Sequence, residues 1–518
     1  MSSSEHVEVI DEYRVGFKKL VGIVVARGLD GKLRYVVNEP RLDPSLKPLK
    51  DFVYKLALSD VGVLRALSAF QTFEEGYEYA KKLVEDGYRR VFKKKASNPA
   101  SLEGLEAVVY YVLRDFVGYG EIDPLIRDPD IEDVTCDGAG RPIYVFHKRF
   151  EWLESNKVLD PRSLETVVRK LAYRANREAT LAQPIVEGIV RPEGYRVHIV
   201  LEPVSLLGHS FTVRKFKERP FTVVELMNGG VLDAGVAALL WLAAENKQGV
   251  IFYGTTGSGK TTLLNAFMML LPPEMKVVTC EDTQEIRLPF HDNWVSMVTR
   301  LSTDPSVRSV TLQDQVESAM RQRPDVLVIG EIRSRESYSF FQAVATGHGG
   351  MTTIHAEDVP SVIRRLTAPP MNVPTQLLAT AKLFVQVQRL VYKGSVARKV
   401  TQVHEVEGYD PAQNRLSVRL LCRWIEVEDE WAFNLRGSRT LGDVARLLAI
   451  GYEGVLEDLK RRATVLLYAA KKELDIARLH ELVRRYRREP QAVYMEALEL
   501  VKEPYRFRTL EAYPFQMV

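Results

Sequence analysis

The stretch VIFYGTTGSGKTTLLNAF, residues 250–267, contains an apolar run, a glycine-rich loop and a segment of helical character. The apolar run ends at Tyr253, the loop spans residues 254–259, and Lys260 begins the helical segment. The pattern GxxxxGK[ST] between a strand and a helix is typical of a phosphate-binding P-loop. Glycines let successive backbone N–H groups face the phosphates, and the helix amino terminus adds partial positive charge. The stretch therefore predicts a nucleotide-binding α/β domain.

The P-loop also predicts individual contacts with two cofactors, ATP and Mg²⁺. We expect Lys260 to bridge the β- and γ-phosphates and the Thr261 hydroxyl to ligate Mg²⁺. The loop and helix residues predicted to hold the nucleotide are Gly254, Thr255, Thr256, Gly257, Ser258, Gly259, Lys260, Thr261 and Thr262.

A second apolar strand, in RQRPDVLVIGEIR at residues 321–333, supplies an acidic group for the metal. Four of the five residues 326–330 are large aliphatics, as a buried central strand requires, and Glu331 follows them. Open α/β sheets bind ligands at the carboxyl ends of their strands, so Glu331 is predicted on the Mg²⁺ side of the site. Generic P-loop proteins carry Asp there, and the longer Glu331 either acts through a metal-bound water or orients the attacking water.

A third strand, KVVTC at residues 276–280, leads into the acidic sequence EDTQE. Acidic turns usually face solvent, but this turn follows a sheet strand of a predicted P-loop domain. We therefore predict that Glu281 and Asp282 contribute to the nucleotide site. Catalysis of phosphoryl transfer consists mainly of positioning and charge stabilisation, and Glu285 is predicted to orient the attacking water as its base.

The sequence TGHGGMTTIH, residues 346–355, carries two histidines among glycines and threonines. The glycines make a long helix through residues 347–350 unfavourable, and no third ligand lies at metal spacing, which argues against a zinc site. The ordinary interpretation is that these histidines are structural residues whose ring nitrogens are hydrogen-bonded to neighbouring groups. The other is that His348 and His355 take part in the nucleotide site, since imidazole can donate to a phosphate oxygen near neutral pH.

Length and patterning predict several domains. A chain of 518 residues with 46% apolar residues is too long for one core. We predict a first N-terminal subdomain over residues 1–98, a second over 99–219, an ATPase domain over 220–400 and a C-terminal extension over 401–518. The sequence KERPFT, residues 217–222, is the predicted linker before the ATPase domain, in which strands and helices alternate as in a parallel sheet covered on both faces.

Composition excludes several functional classes. The chain has 71 basic and 68 acidic residues, a balance that gives no reason to expect nucleic-acid binding. Its three cysteines lack CxxC spacing, so we expect neither disulfides nor a structural zinc. The apolar run at residues 234–244 is too short to span a bilayer and the amino terminus is not signal-like, so we expect a cytoplasmic protein. The basic runs at 89–95 and 484–488 are typical of solvated surfaces, with docking to an acidic partner or anionic lipid as the alternative.

The P-loop, EDTQE, RPDVLVIGEIR and ATGHGGMTTIHA, in this order and spacing, resemble the secretion ATPase superfamily of type II secretion, type IV pili and archaella. Upstream, GYGEIDPLIRDPDIEDVTCDG and SFTVRKF resemble the N-terminal domain of the same family. The sequences NWVSMVTR, TTIHAED and RRLTAPPMNVP resemble its archaeal branch most closely. The resemblance is strong over residues 100–415, weaker in the tail and vague before residue 90.

The resemblance implies the fold class and the assembly. The fold is expected to be α/β, with a RecA-like P-loop domain preceded by an α+β region and followed by a mixed, mostly helical extension. A ring of six identical subunits is expected, with ATP held where the ATPase domain meets an N-terminal domain. Arginines complete such a site, and the residues that match the family motifs are Arg196 in GYRVHIV and Arg214 in SFTVRKF, with Lys215 behind them.

The resemblance also implies a partner and a location. The motor is expected to act on an integral-membrane platform protein from the cytoplasmic face of the membrane, without nucleic acid. His348 and His355 are expected to face the nucleotide or the neighbouring subunit and to report whether a γ-phosphate is bound. A pilus, a secretion device and an archaellum all remain open as the machine that is driven.

Overall fold

A computed structural model of the chain describes residues 8–92, 102–215, 219–300, 306–510 and 516–517. The chain divides into two compact units, residues 1–218 and 219–518. The predicted boundary at residues 98 and 99 lies outside the described residues, as does the beginning of the predicted linker at 217–222. Each unit has its own sheet.

The first unit is an α+β arrangement built around one mixed sheet. Its strands β1 to β9 are Glu8–Val15, Val21–Arg27, Leu33–Asn38, Ile131–Cys136, Pro142–His147, Glu151–Val158, Ile185–Val190, Tyr195–Val200 and Ser210–Arg214. Its helices α1 to α6 are Lys47–Ser59, Val61–Ala69, Phe73–Phe92, Leu102–Val112, Asp123–Arg127 and Pro161–Arg174. The strand order is β1-β2-β3-β6-β5-β4-β9-β8-β7, so strands from both predicted N-terminal subdomains belong to one sheet.

Strand β8 shows how this sheet presents side chains. Tyr195, Val197 and Ile199 are buried in the core of the unit, whereas Arg196 and His198 between them are only half-buried. Alternation of this kind is expected where one face of an antiparallel sheet packs on a core and the other faces solvent. The face of Arg196 is therefore available for contacts outside the core of the unit.

The second unit contains the P-loop and a larger sheet. Its strands β10 to β20 are Gly249–Gly254, Val277–Glu281, Trp294–Val298, Val326–Ile329, Gly349–His355, Ala381–Tyr392, Ser395–Asp410, Arg415–Ile425, Glu430–Phe433, Arg508–Thr509 and Gln516–Met517. Its helices α7 to α17 are Val223–Asn228, Ala234–Glu245, Lys260–Met268, Leu312–Met320, Glu336–Ala345, Val359–Thr367, Thr375–Leu378, Arg439–Leu447, Tyr452–Lys471, Ile476–Arg488 and Pro490–Val501.

The central part of this sheet is parallel and lies between two cores. The strand order is β12-β11-β13-β14-β10-β15, continued by the antiparallel strands β16, β17 and β18. All six residues of β10 are buried, with Val250 and Phe252 in one core and Ile251 and Tyr253 in the other. A strand that is apolar on both faces needs helices on both sides, and the predicted α/β fold class is confirmed.

The C-terminal helices pack against the helix that precedes the P-loop strand. The buried guanidinium of Arg462 on α15 donates to Glu245 of α8 at 2.5 Å and to Asp458 at 2.8 Å. It also lies 4.5 Å from the ring centroid of Trp241 on α8. Strand β16 runs through residue 400, so the sheet of the ATPase domain continues into the predicted extension.

The basic run at residues 484–488 is partly used within the unit. Arg485 pairs with Glu496 at 2.7 Å, and Arg487 pairs with Glu245 at 3.1 Å. These pairs leave less of the run available for an acidic partner than its sequence suggests. In the part of the chain that the structure describes, no helix is both long enough and apolar enough to cross a bilayer.

Candidate nucleotide-binding site

The P-loop follows β10 at the carboxyl edge of the parallel strands. A Cβ atom at Gly254 would lie 2.0 Å from the carbonyl oxygen of Val387 on β15, so the loop cannot begin with a larger residue. Gly257 and Gly259 have φ values of 73° and 96°, in the left-handed region that favours glycine. The loop is therefore shaped by close packing at its start and by left-handed turns at its end.

The loop presents several polar groups that a phosphate can satisfy. Helix α9 begins at Lys260 after Gly259, which provides no side-chain cap for the first N–H groups. Within the described residues, the buried hydroxyl of Ser258 has no hydrogen-bond partner. Thr261 and Thr262 lie half-buried in the first turn of the same helix. Donors without a protein partner at a helix amino terminus suit phosphate oxygens, and the role of the Thr261 hydroxyl toward Mg²⁺ stays a prediction.

Lys260 is held against the loop that it is expected to serve. Its side chain is only 6% exposed, and Nζ donates to the carbonyl oxygen of Thr255 at 2.9 Å. Burial lowers the pKa of Lys260, while the nearby charges of Glu331 and Glu285 act in the opposite direction. The ammonium group therefore lies in a largely desolvated position near two carboxylates. A phosphate oxygen of an anionic substrate would be a stronger partner for it than the carbonyl oxygen of Thr255.

His355 connects Lys260 to Glu331. Its Nδ1 atom is 3.3 Å from Lys260 Nζ, and its Nε2 atom is 3.3 Å from Glu331 Oε1. Burial lowers the pKa of His355, so the ring is neutral near pH 7. The tautomer with hydrogen on Nε2 satisfies both contacts, because Nε2 then donates to the carboxylate and Nδ1 accepts from the ammonium.

Glu331 is stabilised in its charged form. Burial alone would raise its pKa, but Arg333 Nη2 donates to Glu331 Oε2 at 2.7 Å and the net pKa is lowered. A carboxylate that is ionised at neutral pH is what coordination of Mg²⁺ requires. Arg333 was not among the predicted site residues, although it follows Glu331 by only two positions.

Strand register explains why these side chains meet. Gly254, the last residue of β10, pairs with His355, the last residue of β14, and β13 lies on the other side of β14. Glu331 follows β13 at the same edge. Because parallel strands place their carboxyl ends together, the segments that follow β13 and end β14 converge on the loop that follows β10.

The acidic turn after β11 divides into a buried and an exposed part. Glu281 is only 2% exposed, and its Oε1 atom accepts from the backbone N–H groups of Glu285 at 2.9 Å and Ile286 at 3.0 Å. Asp282 lies 3.8 Å from Arg333, and Glu285 is exposed. Glu281 therefore holds the turn in shape, while Asp282 and Glu285 are the members accessible to a ligand.

We expect Glu281→Gln to become more stable relative to the wild type as pH rises. Burial raises the pKa of Glu281 from 4.5 to about 8, so the folded protein keeps a proton that the unfolded chain releases between these values. The wild type should therefore lose stability across this window, by roughly 5 kcal/mol, while the amide cannot titrate. Chemical denaturation of both proteins at several pH values measures the difference. The exposed control Glu499→Gln should follow the wild type, and identical pH profiles for all three would contradict the buried-acid assignment.

Comparison with known protein families identifies one that matches part of each unit. The family described as type II/IV secretion system protein matches residues 124–422, which is more than half of the chain. The chain belongs to this secretion family. Protein MJ0900 of Methanocaldococcus jannaschii is 33% identical over 455 residues, which cover 84% of this chain and 81% of that protein. The resemblance predicted from the four motifs is therefore confirmed.

Two further known proteins are similar to this chain. The type IV secretion system protein PtlH of Bordetella pertussis is 29% identical over 293 residues, covering 52% of this chain and 86% of PtlH. The crystal structure of the VirB11 ATPase of the Brucella suis type IV secretion system is 25% identical and covers 57% of this chain and 94% of VirB11, with a TM-score of 0.29.

His348 lies away from the P-loop. It precedes β14, whereas His355 ends that strand, and a strand of 7 residues separates their ends by about 20 Å. Its Nδ1 atom is 3.1 Å from the carbonyl oxygen of Ala343 and 3.2 Å from Thr346 Oγ1. Of the two predicted histidines, only His355 lies beside the P-loop of this chain, and His348 has contacts typical of a structural residue. A role of His348 toward a neighbouring subunit stays a prediction.

Among the residues that the structure describes, no three His, Cys, Asp or Glu side chains are grouped so that they could hold a metal ion.

The structure brings the two predicted arginines together in the first unit. Arg196 on β8 and Arg214 on β9 are directly opposite each other across the two strands. Arg196 donates to Glu187 at 3.3 Å, and Arg214 lies 4.0 Å from Asp133. Two adjacent cations repel, so these carboxylates offset part of the cost while the guanidinium groups stay accessible to solvent.

Lys215, predicted behind this pair, serves the first unit itself. Its Nζ donates to the backbone carbonyl of Asp128.

Arg398 is a residue near the P-loop that sequence reasoning missed. It lies on β16, and its Nε atom donates to the carbonyl oxygen of Gly257 at 3.0 Å. No local motif marks it, because the contact depends on how β16 folds back beside β15.

Proposed function

We propose that this chain is an ATPase motor that hydrolyses ATP to power assembly of type IV pilus-like filaments or protein secretion. The observation that carries the proposal is the continuous set of contacts from Lys260 through His355 to Glu331 at the carboxyl edge of the P-loop sheet. Membership in the secretion family supports the same activity.

The residues of this site divide the work of phosphoryl transfer. Lys260 neutralises the β- and γ-phosphate oxygens of the substrate, and the first N–H groups of α9 bind the phosphates. Thr261 and Glu331 hold Mg²⁺, which when bound neutralises charge on the phosphate oxygens. His355 donates to Glu331 and keeps that carboxylate oriented, while the exposed Glu285 orients the attacking water.

Arginines from the first unit complete the mechanism. The transition state of phosphoryl transfer spreads negative charge over the equatorial oxygens, and an inserted guanidinium stabilises that charge strongly. We assign this role to Arg196 and Arg214, whose neighbouring positions allow both to approach one ligand. The site is shared between domains or subunits of a ring of six copies.

The ring acts on an integral-membrane platform protein at the cytoplasmic face of the membrane. An archaellum motor is the alternative within the same activity, and the neighbouring genes distinguish it, since archaellins and their accessory proteins indicate motility. Translocation of nucleic acid is disfavoured by the near balance of 71 basic and 68 acidic residues. A salt-dependent DNA-binding assay tests this point.

We expect turnover per subunit to rise with protein concentration, because interface binding favours the ring by mass action. Phosphate release by the purified full-length chain with Mg²⁺ and ATP, measured across a dilution series, tests both the activity and its dependence on assembly. Absence of phosphate release at every concentration would contradict the proposed function. Constant turnover per subunit on dilution would contradict the shared site alone.

Mixed rings then identify which chain supplies the arginine. An equal mixture of Arg214→Ala and Lys260→Ala subunits leaves an intact lysine beside a neighbour's intact arginine at about one quarter of the sites if the arginine acts in trans. Turnover should recover to that fraction of the wild type. A control mixture of Arg214→Ala with the double variant should show no recovery, and recovery absent from both mixtures would place the arginine in its own chain.

A further inference from the structure

The hairpin formed by β15 and β16 extends past the end of the P-loop strand. Strand β15 pairs in parallel with β10 through Gln386, and its following residues continue beyond Gly254 before the chain returns along β16. Two pairs of opposed residues lie on this extension, Arg389 with Arg398 and Val391 with Val396. The hairpin therefore stands beside the P-loop on the side of β10 away from β14.

Arg398 contacts the P-loop directly. Its Nε atom donates to the carbonyl oxygen of Gly257 at 3.0 Å, and its Cδ atom is 3.4 Å from where a Cβ would stand at Gly259. In the residues that the structure describes, Arg398 makes no other hydrogen bond or ion pair. Its two terminal nitrogens therefore lie beside the phosphate loop with their donors available.

Val391 and Val396 form an exposed apolar pair on the hairpin face that carries Arg398. Val391 is 72% exposed and Val396 is 48% exposed, although both are branched apolar residues. Val391 follows Arg389 by two positions and Val396 precedes Arg398 by two, so the valines project to the same side about 7 Å closer to the tip of the hairpin. Leu390 and Tyr392, on the opposite face, pack against the core.

Strand order gives the direction of a bound nucleotide. Glu331 and His355 lie on the β14 side of the P-loop, and the hairpin lies on the β15 side. The reacting γ-phosphate must lie toward Glu331, so the α-phosphate and the nucleoside leave the loop on the other side. That side is the hairpin face with Arg398 and the pair of exposed valines.

We propose that the hairpin face of Val391, Val396 and Arg398 is the second wall of the nucleotide site. Arg398 binds phosphate oxygens with the donors of its planar fork, and the valine pair packs against the base of the nucleoside. This assignment rests on the proposed ATPase function and adds the residues that recognise the nucleoside end of the substrate.

Two ligands distinguish the phosphate contact of Arg398 from the base contact of the two valines. Isothermal titration of the full-length protein with Mg²⁺ and either ATP or inorganic tripolyphosphate measures affinity with and without the nucleoside. Arg398→Ala should weaken binding of both ligands by about tenfold or more, because charged hydrogen bonds to phosphate are lost. Arg398→Lys should lie between the wild type and the alanine variant, since it keeps the charge but not the fork.

The valines should affect ATP alone. Replacing both Val391 and Val396 by serine removes apolar contact without adding charge, so ATP should bind about fivefold more weakly while tripolyphosphate binds as before. Matched controls are Val427→Ser in the turn after β17 and Arg415→Ala at the start of β17, both exposed and at other places in the sheet. Both controls should bind ATP and tripolyphosphate like the wild type.

Each contrary outcome has a distinct meaning. Wild-type affinity of Arg398→Ala for both ligands would overturn the phosphate contact. Equal losses, or no losses, for ATP and tripolyphosphate in the double serine variant would overturn the base contact. If that variant changes only the concentration dependence of turnover, the face is a contact between subunits and not a wall of the site. If the wild type binds neither ligand, the proposed ATPase function fails first.

Discussion

Replacement of Lys260 by alanine is expected to lower ATP hydrolysis by about a thousandfold while the second unit stays folded. Lys260 is 6% exposed, and its ammonium group lies beside Thr255 and His355. The loop, residues 254–259, contains no other cation that could take its place on the phosphates. Electrostatic groups that act in a desolvated site contribute several kcal/mol to the transition state, which gives this loss. Phosphate release with saturating Mg²⁺ and ATP measures it.

Folding must be separated from chemistry in this experiment. Removing a buried ammonium that donates to one carbonyl also relieves a desolvation cost, so thermal unfolding should change little. The control Lys471→Ala removes an exposed ammonium at the end of α15 and should retain wild-type turnover. Retention of wild-type turnover by Lys260→Ala itself would remove Lys260 from the active site and with it the assignment of the P-loop.

The P-loop could be predicted because its structure is local. Strand, loop and helix follow one another within residues 250–267. The glycines stand where a side chain cannot fit, at Gly254, or where the backbone is left-handed, at Gly257 and Gly259. Glu331 could be placed at the same edge because parallel strands share the position of their carboxyl ends. In both cases a physical rule connects sequence to position without knowledge of which strand lies beside which.

The positions of the two histidines could not be predicted from the local sequence. His348 and His355 belong to one short motif, yet a complete strand separates them and places them at opposite edges of the sheet. Whether the residues between them form a turn or a strand depends on pairing with β10 and β13, which lie elsewhere in the chain. A glycine-rich sequence alone favours the turn, and tertiary pairing overrides that preference.

Pairing between distant strands explains the remaining differences. The direct opposition of Arg196 and Arg214 follows from the register of β8 and β9, which no local pattern reports. Arg398 reaches Gly257 because β16 returns along β15 after a hairpin. Glu281 and Asp282 are adjacent in sequence, but only Glu281 is buried, behind Gly330 of the neighbouring strand segment.

Glu331→Gln is expected to lower the chemical step by about a hundredfold or more while ATP affinity changes only a few-fold. The amide keeps the shape of the carboxylate, so the P-loop contacts that bind the phosphates are unchanged. It loses the negative charge, which Mg²⁺ and the attacking water require. Single-turnover phosphate release and nucleotide titration, measured on the same protein, separate the two quantities.

The contacts of Glu331 determine how the side-chain amide of the Glu331→Gln variant is oriented. Arg333 donates to one carboxylate oxygen at 2.7 Å, and the amide oxygen can accept the same bond. The amide nitrogen then faces His355 Nε2, which now has to accept, so the ring must place its hydrogen on Nδ1 against the ammonium of Lys260. Glu331→Asp, which keeps the charge with a shorter reach, should retain more turnover than the amide. If ATP affinity falls as far as turnover in Glu331→Gln, the carboxylate mainly binds the substrate, and the attacking water is oriented by Glu285 alone.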